Sequence, residues 1–220
     1  MTIRALGLFI GIQTVMIAGV LSLTASSGLT AIAWKDIWAR IVQSGGQVPP
    51  RSVRGGTCLV GPGPSAVIWS DRPRLAWSEN VTEIRIYKLD DLTNPIWKKK
   101  VDIKQNSIQY DEKPLTPGIY QWEAIDVLGR SDIMSFEVME KVERSEISTK
   151  FTTFTKDLER NQVTGNDRTS QKVDFWLKEN LLWDAISEAY SGEDQLSEKE
   201  KSRQGFVDEV CQMKPLPTEK

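Results

Sequence analysis

The chain has 220 residues, 40% hydrophobic and 26% charged, with a formal net charge of −2. This suits one or two globular domains with a real core and excludes a disordered chain. No long basic block stands out, which excludes the electrostatic footprint of a nucleic-acid binder. There is no histidine, so the commonest acid–base group and the commonest metal ligand are both missing.

The N-terminus reads as an export segment, residues 1–33. Arg4 and the α-amino group form a short positive region, Ala5 to Leu23 is almost uninterruptedly apolar, and Ala31-Ile32-Ala33 offers a small-x-small cleavage site after Ala33. The apolar run also approaches the roughly 20 residues that span a bilayer, so an uncleaved anchor is the alternative, weakened by Gln13 and Thr14. Either reading places the rest of the chain in an exported, periplasmic or lumenal, compartment, soluble after cleavage or held at the membrane by this segment alone. Residues 34–56 hold a short amphipathic helix, "WKDIWARIVQ", and a Gly- and Pro-rich flexible linker, "SGGQVPPRSVRGG".

Residues 57–140 show about seven short strand-like runs separated by turn signals, the pattern of a β-sandwich. At its centre lies "LTPGIYQWEAIDVLGRSDIMSFEV", two antiparallel strands in which Tyr120, Trp122 and Ala124, then Met134, Phe136 and Val138, alternate with other residues at period two. Gly129 supplies the positive φ that reverses the chain. Lys98, Lys99 and Lys100 in "PIWKKKVDI" mark an edge strand protected against stray pairing, with a basic patch for polyanions as the sharper alternative. In the same run Trp97, Val101 and Ile103 are expected on one face.

Residues 141–212 change to a 3.6-residue period. Ile147, Phe151, Phe154 and Leu158 form one helical stripe, and Gly165-Asn166 is expected to break that helix. "SQKVDFWLKENLLWDAISEAYSGED" reads as a tetratricopeptide-like hairpin turning near Asn180, which must dock on a neighbour because one such unit cannot bury its own face. Ser197 and Glu200 form a capping box for a last helix through Val207 and Val210. Residues 213–220 read as a disordered tail.

Catalytic chemistry finds no footing. Triads that need histidine are impossible, and no phosphate-binding loop or EF-hand spacing occurs. Glu123 and Asp126 fall on opposite strand faces and read as solvated charges. No cofactor and no metal site is expected. Cys58 and Cys211, the only cysteines, read either as a disulfide or as two free thiols. Trp69, Trp97 and Tyr87 are candidate ligand-binding aromatics if they form an exposed row able to stack on sugars, and core packing otherwise. Trp176, Trp183 and Tyr190 mark the helical hairpin as a candidate partner-binding surface.

Four segments in order, "RGGTCL", "RPRLAW", "LTPGIYQW" and "LLWDAI", resemble a family of exported cyanobacterial proteins that carries a domain-of-unknown-function label, over roughly residues 54–190. Members of that family often carry a further cysteine in the sheet region, where this chain has Cys211 in its last helix. The central stretch also resembles the late strands of fibronectin type III and other immunoglobulin-like modules, with Leu115, Pro117, Gly118 and Tyr120 matching at one residue fewer before the tyrosine. The resemblance implies an α+β chain, an immunoglobulin-like antiparallel sandwich followed by helices, and no catalytic residue. The expected function is therefore a non-catalytic envelope protein that binds another protein or supports an assembly. A carbohydrate-binding module is the alternative.

Overall fold

The computed structural model describes residues 57–64, 66–78, 80–191, 205, 207, 208 and 210–212. The export segment, the helix and linker of 34–56, the Ser197–Glu200 cap and the 213–220 tail lie outside the described residues. The fold is α+β, with two β-sheets and several helices.

Eight strands are present: β1 (Leu59–Gly61), β2 (Ala66–Ile68), β3 (Arg74–Trp77), β4 (Val81–Lys88), β5 (Trp97–Lys100), β6 (Ser107–Gln109), β7 (Gly118–Asp126) and β8 (Ser131–Val138). The small sheet has the order β1-β3-β6, and the large one β2-β8-β7-β4-β5. All pairings are antiparallel except β2 with β8. The hairpin β7–β8 is central, and its alternating residues Tyr120, Trp122, Ala124, Met134, Phe136 and Val138 are all buried. Gly129 turns it with φ 74°. The lysine-rich β5 is an edge strand. It ends at Lys100, so Ile103 leaves the face of Trp97 and is exposed in the following turn, contrary to the shared face expected from period two.

Each sheet treats its faces differently. In β1 and β3, successive residues from Leu59 to Gly61 and from Leu75 to Trp77 are buried, so this sheet is covered on both sides. In β7 and β8 burial alternates strictly, so the large sheet covers one face and leaves the other open.

Three helices follow, α1 (Lys141–Arg160), α2 (Gly165–Lys178) and α3 (Leu182–Ser191), and the described residues near 205–212 are helical too. The break after α1 falls at Asn161–Thr164, with Gln162 at φ 54°. Gly165 begins α2 rather than interrupting a helix. A three-residue turn around Asn180, φ 59°, joins α2 to α3. Helices and sheets share one hydrophobic core that runs from Leu59 and Trp77 through Trp122 and Phe136 to Trp176, Ile186, Val207 and Val210.

At the start of β7 the Tyr120 hydroxyl donates 2.7 Å to the Thr116 carbonyl, four residues upstream, with the Thr116 hydroxyl 3.1 Å away. Leu115 is buried beneath this turn. The geometry is that of a tyrosine corner, reached with the short "TPGIY" spacing.

Candidate functional site

The open face of the five-stranded sheet is the candidate interaction surface. Its residues follow from strand alternation: Lys98 on β5, Glu83, Arg85 and Tyr87 on β4, Ile119, Gln121, Glu123 and Ile125 on β7, Ile133 and Glu137 on β8, and Val67 on β2. Register places Lys98, Arg85, Glu123 and Ile133 in one row across four strands.

A charged bar crosses the middle of this face. Arg85 pairs with Glu83 at 2.6 Å and with Glu123 at 3.5 Å, and Lys98 reaches Glu83 at 3.5 Å. The Tyr87 hydroxyl donates to Glu123 at 3.0 Å. Burial beneath these neighbours pushes the Tyr87 phenol above its usual range, so it stays a neutral donor. Ile133 is exposed at the β8 end of this row, and Ile119 and Val67 are exposed on either side of Glu137, two residue pairs further along the strands. The result is a rigid surface with fixed charges beside apolar contact points and no acid–base–nucleophile arrangement on it.

Of the aromatics singled out in the sequence, Tyr87 alone lies on this face. Trp97 is buried, its indole N–H donating 2.9 Å to Asp111, whose other oxygen takes Lys99 at 2.6 Å. Tyr87 is buried at the foot of the charged bar. Trp69, just past β2, is half-buried under the helices: its ring lies 4.9 Å from that of Trp176 and 5.8 Å from that of Phe151, and its N–H donates to Ser148 at 3.0 Å. These three do not form an exposed stacking row. The proposed hairpin surface is corrected as well, since Trp176, Trp183 and Tyr190 are all buried. Their stripe faces the sheets: Trp183 sits against Gly61, and Arg74 of β3 lies 5.6 Å from the Tyr190 ring. A helical stripe fixes which residues share a face but says nothing about what covers it.

Cys58 and Cys211 are joined by a disulfide that links the start of β1 to the last helical residues across 153 positions. Asp126 is not a solvated charge: it is buried and caps the β7–β8 turn. Glu123 does face outward.

Sequence reasoning missed Asp184, the buried carboxylate that locks helices to sheets. It sits in the first turn of α3 and accepts the backbone N–H groups of Trp69 at 2.9 Å and Ser70 at 2.8 Å. Arg144 of α1 reinforces the joint through Asp71 at 2.6 Å. The available signal was a single charge inside the apolar run Leu181-Leu182-Trp183-Asp184-Ala185-Ile186, because a charge is buried only where partners wait for it. Among the described residues no cluster of metal-ligating side chains occurs, and no helix is long and apolar enough to cross a membrane.

The chain matches no protein-family model and no curated protein. Among solved structures it is similar to CopC from Methylosinus trichosporium OB3b, with 16% identity, a TM-score of 0.29, and coverage of 38% of this chain and 93% of that chain. That likeness is too slight to carry fold or function.

Proposed function

We propose that the chain is a non-catalytic, exported interaction module that engages a protein partner in the cell envelope through the open face of its five-stranded sheet. The observation that carries this reading is the pairing of a fixed charged bar with exposed Ile119, Ile133 and Val67 on rigid strands. Apolar contact points next to oriented charges give a partner both burial and register. The glycan-binding alternative needs exposed rings, and the burial of Trp97 in the core and of Tyr87 beneath its charged neighbours lends it no support.

The finer architecture belongs to the same reading. An immunoglobulin-like sandwich is supported by the tyrosine corner at Tyr120 and by a strand order in which the first, third and sixth strands form one sheet and the long hairpin centres the other. The α2–α3 pair is then a tetratricopeptide-like hairpin that closes on the sheets instead of on further repeats. Export to a periplasmic or lumenal space is supported by the disulfide, since such bonds persist in oxidising compartments. Membership of the exported cyanobacterial family rests on the four sequence segments.

Ile133→Lys tests the surface. It is expected to abolish co-purification of the envelope partner retained by the unmodified chain, while Val142→Lys on the exposed side of α1 leaves it intact. Retention of the same partner by both variants contradicts the reading.

A further inference from the structure

We propose that one end of the sandwich, carrying Ile103, Val127 and Leu128, rests on a lipid bilayer surface. The β7–β8 turn is unusually well fixed for a loop. The buried Asp126 carboxylate accepts the N–H groups of Leu128 at 2.8 Å and Arg130 at 2.9 Å, and the Arg130 guanidinium closes on it at 2.7 Å. The Val127 N–H donates to the Asn80 carbonyl at 3.0 Å. This stiff turn holds Val127 at 53% and Leu128 at 71% exposure. The Asn80 N–H in turn donates 3.3 Å to the carbonyl of Ile103, itself 49% exposed, so the backbone at Asn80 ties the Ile103 turn and the β7–β8 turn to the same end of the sheet. Exposed Lys104 and Arg130 border them, alongside Asp102, which caps the Lys104 amide. Apolar tips flanked by cations suit insertion among headgroups.

The occupant follows from where the chain leaves this fold. Cys58 and Ser78 exchange hydrogen bonds, its amide to the Ser78 hydroxyl at 2.9 Å and the Ser78 amide to its carbonyl at 2.8 Å. Ser78 is two positions from Asn80, so the chain before Thr57 departs from the same end as the apolar tip. Beyond lies the uncharged run Ala5–Leu23, separated from Thr57 by residues 24–56. In the anchored reading of that run, the chain passes from the bilayer into the domain at this end. The opposite end also exposes Leu89, Leu92 and Ile96, but there Lys88 is paired with Asp90 at 3.0 Å and Asp91 adds a negative charge, so that turn offers the headgroups no free cation.

The test uses the full chain, with its native disulfide formed, in vesicles of phosphatidylcholine and phosphatidylglycerol containing a headgroup-nitroxide lipid. An environment-sensitive fluorophore is placed through Leu128→Cys, through Ile103→Cys as a second reporter, or through Leu92→Cys at the far end. The expected result is flotation with the vesicles, a blue-shifted emission at 128 and 103, and quenching there several-fold stronger than at 92. Failure to float, equal quenching at the two ends, or stronger quenching at 92 overturns the proposal.

Discussion

The indole ring of Trp183 fills the space that a side chain at Gly61 would need. A Cβ built on Gly61 overlaps the ring carbons, so the first turn of α3 can lie on β1 only because residue 61 has none. Gly61→Ala is expected to lower stability by about 2 kcal/mol or more, since the ring must move within a close-packed core. Urea unfolding measures it. If the clash is the cause, adding Trp183→Leu recovers part of the loss relative to the sum of the single changes, which a double-mutant cycle reads directly.

Asp184 gives the same joint a pH dependence. Burial pushes its carboxyl up to about 6, against the Trp69 and Ser70 amides and the Arg144 charge, which pull it down. A folded-state pKa above the ordinary 3.8 means that the folded chain holds its proton to higher pH. Its contribution is complete below about pH 4 and is lost as pH rises through about 6, a change of up to about 3 kcal/mol. The stability difference between the unmodified chain and Asp184→Asn, followed by urea unfolding from pH 4 to pH 7, is expected to shift in favour of the asparagine variant as pH rises. A difference independent of pH contradicts the assignment.

Tyr120→Phe removes one hydroxyl and leaves the Thr116 carbonyl without its donor. The expected cost is about 1–2 kcal/mol, with the sandwich otherwise intact. Thermal unfolding checks the magnitude. Thr116→Val leaves the carbonyl acceptor in place, so it is expected to cost less than Tyr120→Phe.

Reduction of Cys58–Cys211 opens a loop of 153 positions and is expected to cost about 2–5 kcal/mol. Because Val207 and Val210 pack in the shared core near that bond, amide exchange at those positions is expected to rise first, ahead of β7 and β8.

The sheets were far more legible in the sequence than the joint between sheets and helices. Alternation in Tyr120–Ala124 and Met134–Val138 announced the central hairpin because one face of that sheet is open. Three adjacent lysines announced the β5 edge because lysine suits a free edge. β6 escaped notice: "SIQ" is too short to show a period. The aromatics of α2 and α3 announce a stripe but not its cover: Trp183 and Tyr190 lie against β1 and β3, and Trp176 against Trp69 and Phe151. The contact with the strands joins residues more than a hundred positions apart, as Gly61 and Trp183 are, and no local pattern encodes it. The lone charge of Asp184 in an apolar run marks it as buried, but its partners are the backbone amides of Trp69 and Ser70, which carry no sequence signal. Nor did spacing reveal the charged bar: Glu83, Arg85, Tyr87 and Glu123 meet only through the β4–β7 register.

The most direct measurement is site-specific photo-crosslinking in the native envelope, with a photoreactive residue replacing Ile133 on the open sheet face or Val142 on α1. One discrete protein adduct is expected from position 133, lost when Arg85→Glu is added, and none of that mass from position 142. No adduct at 133, or the same adduct from both positions, would contradict the proposed interaction through the open sheet face.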